Sequence, residues 1–177
     1  VSGGGVDDAI GGLVLGAARA ASPLPAAIGV GGIDALNPAA PAGHAAWAIL
    51  ALSAMVVFWV AGFDVIYALA DLDFDRQAGL HSIPARLGWD GAARVSLAMH
   101  VLAFAFLAIV PFAEPRLGIA FGLGVLAVGG LLILEHIVLA RSGRAGLDVA
   151  FFTVNGVVSV LLGTIGVLDM ALWSPAP

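Results

Sequence analysis

Of the 177 residues, 61% are hydrophobic and 11% charged, and the mean hydropathy is +1.07. An ordinary soluble domain carries about 25% charge, and this much apolar surface cannot be hidden inside a water-soluble protein of this size, so lipid is the expected solvent. Cysteine is absent, which excludes disulfides, thiolate catalysis and thiolate metal sites, and the formal net charge of −5 comes with seven basic residues that are all Arg.

Five apolar stretches are long enough to cross a bilayer, which takes roughly 20 residues each. The first runs over 9–33 and carries the string Ser22-Pro23-Leu24-Pro25, where proline should kink it. The others run over 45–70, over 92–112 (closed by Pro111 and Pro115), over 117–140 and over 149–172. They lack period-two alternation, so the expected class is an all-α, multi-pass bundle. The abundant Ala and Gly suit close helix packing in lipid. The chain starts at Val1 without Met, and no basic segment precedes its first apolar run. No cleavable signal is expected, and an N-terminal part is read as missing.

Arginine placement sets the expected sidedness. Arg76, Arg86 and Arg94 fall between the second and third stretches, and Arg141 and Arg144 between the fourth and fifth. The opposite connections hold only Arg116, so the Arg-rich ones are expected in the cytoplasm and Trp173 at the outer interface. Arg19 falls inside the first stretch; it faces a polar cavity, or that helix starts later.

The segment from Gly62 to Arg76 holds four carboxylates within twelve residues: Asp64, Asp71, Asp73 and Asp75. If it continues as one helix at about 100° per residue, Tyr67 lies about 60° from Asp64, and Asp71 and Asp75 lie about 20° to either side of it. Asp73 lands on the opposite side and reads as a solvated helix end. An unpaired carboxylate near the membrane core costs at least about 2.5 kcal/mol, so the stripe calls for a cation. Asp71 and Asp75, four residues apart, can converge on one hard, oxygen-seeking ion such as Mg²⁺, whose other positions are commonly filled by phosphate and water. A lipid with a diphosphate head suits such a pair at the end of an apolar helix. The competing reading of these aspartates is a solvated cytoplasmic helix end.

Residues 62–88, GFDVIYALADLDFDRQAGLHSIPARLG, resemble the second aspartate-rich motif and following loop of the UbiA superfamily of intramembrane aromatic prenyltransferases. Leu134-Glu135-His136 and the run from Phe151 to Asp169 agree with it. The resemblance implies that 1–177 is the C-terminal part of a single domain, five helices of about nine, with the first aspartate-rich motif not matched in this chain. It implies that Asp71 and Asp75 hold Mg²⁺ on a polyprenyl diphosphate, while Asp64 and Tyr67 line the cavity as catalytic residues. Arg86 and His81 become diphosphate contacts, each weighed against a solvated or orientation-setting role. The acceptor implied is an aromatic acid of ubiquinone or menaquinone biosynthesis. Where enzymes acting on 4-hydroxybenzoate usually have Lys in a GxKS element, this chain reads Gly79-Leu80-His81-Ser82, closer to the futalosine-route menaquinone branch. The expected setting is the bacterial inner membrane, with the aspartate motif cytoplasmic and no nucleic-acid partner.

Of the remaining polar residues, Glu135 is expected to face a cavity group or pair with His136, and Asn155 to make an interhelical hydrogen bond or line the cavity. His100 reads as a packed or interfacial histidine. Two other functions compete. A cation-coupled transporter also uses intramembrane acids, but usually near the midplane on broken helices, whereas these gather at a helix end. An inactive fragment lacking the first motif is the other.

Overall fold

The computed structural model describes residues 23–31, 33–39 and 43–173, and every regular element within them is helical. Most of the first expected stretch, with Arg19, lies outside the described residues. Its described part is α1, Pro23–Gly31. The kink expected at Ser22-Pro23-Leu24-Pro25 thus falls at the edge of the described residues. A 3₁₀ turn, Ile33–Leu36, precedes α2, Gly43–Ala68. Then come the short α3, Leu72–Gln77, followed by α4, Ile83–Ala113, and α5, Ile119–Ser142. A 3₁₀ turn, Gly143–Gly146, and a π-helical turn, Val149–Val154, lead into α6, Asn155–Trp173. Among the described residues four helices are long and apolar enough to cross a membrane: Ala45–Ala68, Ile83–Ala113, Ile119–Gly146 and Phe152–Leu172. They correspond to the second through fifth expected stretches.

Helix α4 begins nine residues before the apolar run does. Ser82 caps it, its Oγ accepting the Ala85 N–H at 3.2 Å, and Pro84 occupies its first turn. Gly88, at φ 71°, then breaks the helical path and kinks α4. The mixed polarity of the turn before the kink hides it from a hydropathy reading. The C-terminal end matches expectation: Pro111 lies in the last turns, the Glu114 N–H donates to Val110 O at 3.0 Å, and Pro115 comes next.

Helices α2 and α4 form the main packed pair, with α5 and α6 against them. One core cluster includes Met55 of α2, Leu107 of α4, Val128 of α5 and Val158 of α6, with Phe58 stacked on Phe106 at 5.6 Å. A second includes Phe63, Ile66 and Leu69 with Ala92, Leu139 and Ala150. Only 17% of the α6 spanning window is buried, so most of that helix is left for lipid or further protein.

Polar contacts pin the two ends of the bundle. At one end Arg144, after α5, donates to Asp73 Oδ2 of α3 at 2.7 Å. Both Arg-rich connections therefore lie at the same end, as a helical hairpin order requires. At the other end Asp169 of α6 is buried, and its Oδ2 accepts the backbone N–H groups of Gly118 (2.6 Å) and Phe121 (3.0 Å). Gly118 has no side chain with which to cap α5, so a carboxylate from another helix does it. Beside it Arg116 forms a two-pronged pair with Glu114, at 2.8 and 2.9 Å, which holds the guanidinium pKa above its ordinary value.

Candidate functional site

Asp64 and Tyr67 project from the last turns of α2 on its exposed face, Tyr67 at 55% exposure, while Phe63, Val65 and Ile66 bury the other face. The helix does not continue to Arg76. Four successive N–H groups reach back only three residues: Leu69 to Ile66 O, Ala70 to Tyr67 O, Asp71 to Ala68 O and Leu72 to Leu69 O, at 3.0–3.5 Å. Three residues per turn advance about 20° more per residue than an α-helix does, so the tightened stretch rotates the next segment by about 60°. The single straight stripe expected from unbroken helical continuation is thus two segments set at an angle, anchored by the fully buried Leu69.

Within the second segment the four-residue spacing survives. The Asp75 N–H donates to Asp71 O at 2.8 Å, so Asp71, the residue before α3, and Asp75 stand one helical turn apart. Their surroundings differ: Asp71 is exposed and Asp75 is buried. Asp73, expected to be a solvated helix end, is exposed and is the partner of Arg144.

The Gly79-Leu80-His81-Ser82 element has a definite structural job. The Leu80 N–H donates to Asp75 O at 2.8 Å and the Gly79 N–H to Arg76 O at 3.3 Å, with Gly79 at φ 69°. This is the paired closure that ends a helix on a left-handed residue, which glycine adopts without a Cβ clash. Glycine therefore stops α3 just behind Asp75, and Ser82 starts α4. His81 is left exposed in the intervening loop, and Arg86 is exposed in the first turns of α4. Arg76 Nε reaches across to Ala85 O at 3.4 Å, tying α3 to α4.

A second polar group lies deeper. His100 of α4 and Glu135 of α5 are 1% and 0% exposed, and His136 is half-buried. His100 Nδ1 is 3.1 Å from His136 Nε2 and 3.7 Å from Glu135 Oε2. Glu135 therefore does face a polar group, as expected, but its ionisable neighbour includes a histidine 35 positions away on another helix. His100 is packed, its ring tilted against Phe63 at 4.7 Å between centroids, and it also joins Glu135 and His136. Ionisable side chains inside two apolar runs, His100 in one and Glu135-His136 in the other, were the available signal. Asn155 is half-buried where the π-helical turn passes into α6, and its carbonyl accepts the Ser159 hydroxyl at 2.9 Å. That bond lies within α6 and uses the backbone oxygen of Asn155, not its side-chain amide.

An apolar groove lies elsewhere. A cavity of about 560 Å³ is lined by Trp47, Leu50 and Ala51 at the start of α2 and by Phe106, Ile109 and Phe112 at the end of α4. It opens at the far end of α2 from Asp64, and its lining is almost wholly apolar.

The chain matches the UbiA prenyltransferase family model over residues 9–167. It is also similar to the apo structure of a UbiA homolog from Aeropyrum pernix K1, at 38% identity and a TM-score of 0.59. That match covers 68% of this chain and 42% of the Aeropyrum pernix protein, so this chain spans less than half of its length. No curated protein matches it. With four apolar helices of spanning length and the family model matched over most of its residues, this is an integral membrane protein that belongs to the UbiA prenyltransferase family.

Proposed function

We propose that the protein to which this chain belongs transfers a polyprenyl group from its diphosphate to an aromatic acid, in menaquinone or ubiquinone biosynthesis, with Asp71 and Asp75 as ligands of Mg²⁺. The observation that carries this reading is the pairing of Asp71 and Asp75 one turn apart, at the end of the helix that presents Asp64 and Tyr67. The donor set suits the ion: Mg²⁺ takes oxygen ligands and commonly uses one or two carboxylates with phosphate oxygens and water. When bound, the ion neutralises diphosphate charge and so makes it a better leaving group.

The chain's own residues supply the rest. The tightened turn Leu69–Asp71 sets the two carboxylates at the membrane rim, where a polar head group sits while its tail stays among apolar helices. Asp64 and Tyr67, one turn apart on α2, form a wall suited to positive charge developing at the allylic carbon, the phenol through its π face. Arg86 and His81 flank the carboxylates from the α3–α4 connection and are the diphosphate donors. The bacterial inner membrane, with this end in the cytoplasm, is the proposed setting, and it rests on the Arg bias of the two connections.

The test is turnover of labelled polyprenyl diphosphate by the whole protein with 4-hydroxybenzoate or a dihydroxynaphthoate acid. Prenylated acceptor is the expected product. Uptake of a cation across a vesicle, with the diphosphate left intact, would replace this reading by the transporter.

A further inference from the structure

The polar group between α4 and α5 stands on the other side of α2 from the aspartates. Gly62 faces His100 so closely that a Cβ there would sit 2.3–2.4 Å from its ring. Asp64, two residues on, points about 200° around the helix and out of the bundle. Asp64 and the deeper group therefore do not share a face of α2, and the role of one does not fix the role of the other.

Hydrogen bonding alone leaves the deeper group unsatisfied. If one imidazole donates across the 3.1 Å gap between His100 Nδ1 and His136 Nε2, both oxygens of the fully buried Glu135 still lack a partner among the described residues. Ser96, one turn before His100 on the same face of α4, is also fully buried with its hydroxyl unpartnered. An unpaired carboxylate in an apolar interior is among the costlier things a fold can contain. The ligand atoms of His100, Glu135 and His136 all lie within 4.8 Å of one another. An ion bonded to two imidazole nitrogens at about 2.0–2.1 Å holds them a little over 3 Å apart, which is the separation these rings already have.

We propose that His100, Glu135 and His136 form a three-ligand site for a divalent first-row transition ion, Zn²⁺ foremost, that ties α4 to α5 behind the helix wall carrying Asp64. Two imidazoles and one carboxylate are the ligands Zn²⁺ takes with a fourth position open, and they are too nitrogen-rich for Mg²⁺. Water or hydroxide fills that fourth position, and hydroxide would bring the site to zero net charge, the cheapest state in lipid. The tight fit of Gly62 against the His100 ring restricts the ring's orientation by packing.

The whole protein, purified in detergent, is stripped with chelator, equilibrated with Zn²⁺ in excess Mg²⁺, desalted and analysed for metal. About one Zn²⁺ per chain is expected to remain, and about tenfold less in H136A or E135Q. The double variant D71N/D75N keeps its Zn²⁺, which separates this site from the aspartate end. Because a core variant can fail to fold, the wild-type protein is also loaded with Co²⁺. The intense visible absorption of a four-coordinate ion supports the site, and the weak spectrum of hydrated Co²⁺ overturns it. Wild-type protein that retains no Zn²⁺, or H136A that retains as much as wild type, overturns it equally.

Discussion

The aspartate end of α2 and α3 and the His100–Glu135–His136 group are both built from ionisable side chains, yet they meet opposite surroundings. Asp64 and Tyr67 at the end of a spanning helix, and Asp71 just beyond it, are exposed, with Arg76 of α3 and Arg86 of α4 following in the chain. Glu135 and His100 are closed in on every side by packed helices. At the rim the exposed Asp71 stands one turn from the buried Asp75, and a pair open on one side can exchange a charged ligand with each turnover. A buried set must be satisfied by what is held there permanently. The difference teaches that charge in a membrane protein is to be read by access as well as by count: on the proposed reading, the rim serves chemistry and the interior serves architecture.

The sharpest way to break this comparison is at the rim. Asp71→Asn or Asp75→Asn should lower prenyl transfer on the order of 10²–10³-fold, as removing a preorganised charge contact does. Asp73→Asn should leave turnover close to wild type, because its carboxylate faces Arg144. Product formation by the whole protein, measured side by side, decides both.

In the interior, Gly62→Leu should destabilise the fold by about 1–3 kcal/mol, because its side chain must displace the His100 ring. Thermal unfolding in detergent reads this. Asp169→Ala removes the carboxylate that caps α5 from α6, at a cost of about 0.5–2 kcal/mol in the same assay. Ser82→Ala, which uncaps α4, should cost about 1 kcal/mol. The smallest effect belongs to Arg144→Ala. Its pair with Asp73 is half or more exposed on both sides, and such pairs contribute about 0–1 kcal/mol.

Much of this architecture is legible in the amino-acid order. Apolar runs of bilayer length report four helices directly, because lipid leaves the backbone no alternative to bonding within its own helix. Pro111 and Pro115 mark the end of α4, and the spacing of Asp71 and Asp75 marks their shared turn. The tightening between Ala68 and Leu72 was hidden, since Ala-Leu-Ala-Asp continues an α-helix as readily as it ends one; the break is set by Leu69 burying itself in the core. The kink at Gly88 was hidden for a related reason, because glycine inside a run of mixed polarity does not announce its φ. The meeting of His100 with His136 is a matter of helix packing across 36 positions, and no local pattern encodes it. Asp169 was read only as the end of a similar segment, while its role as a cap depends on a glycine 51 positions earlier.

The central claim, that Asp71 and Asp75 bind a diphosphate through Mg²⁺, is met most directly by equilibrium binding of a labelled polyprenyl diphosphate to the whole protein, with and without Mg²⁺. Wild-type protein should bind far more tightly when the ion is present, and the D71N/D75N variant should show no such gain. Equal dependence on Mg²⁺ in the two proteins would contradict the assignment.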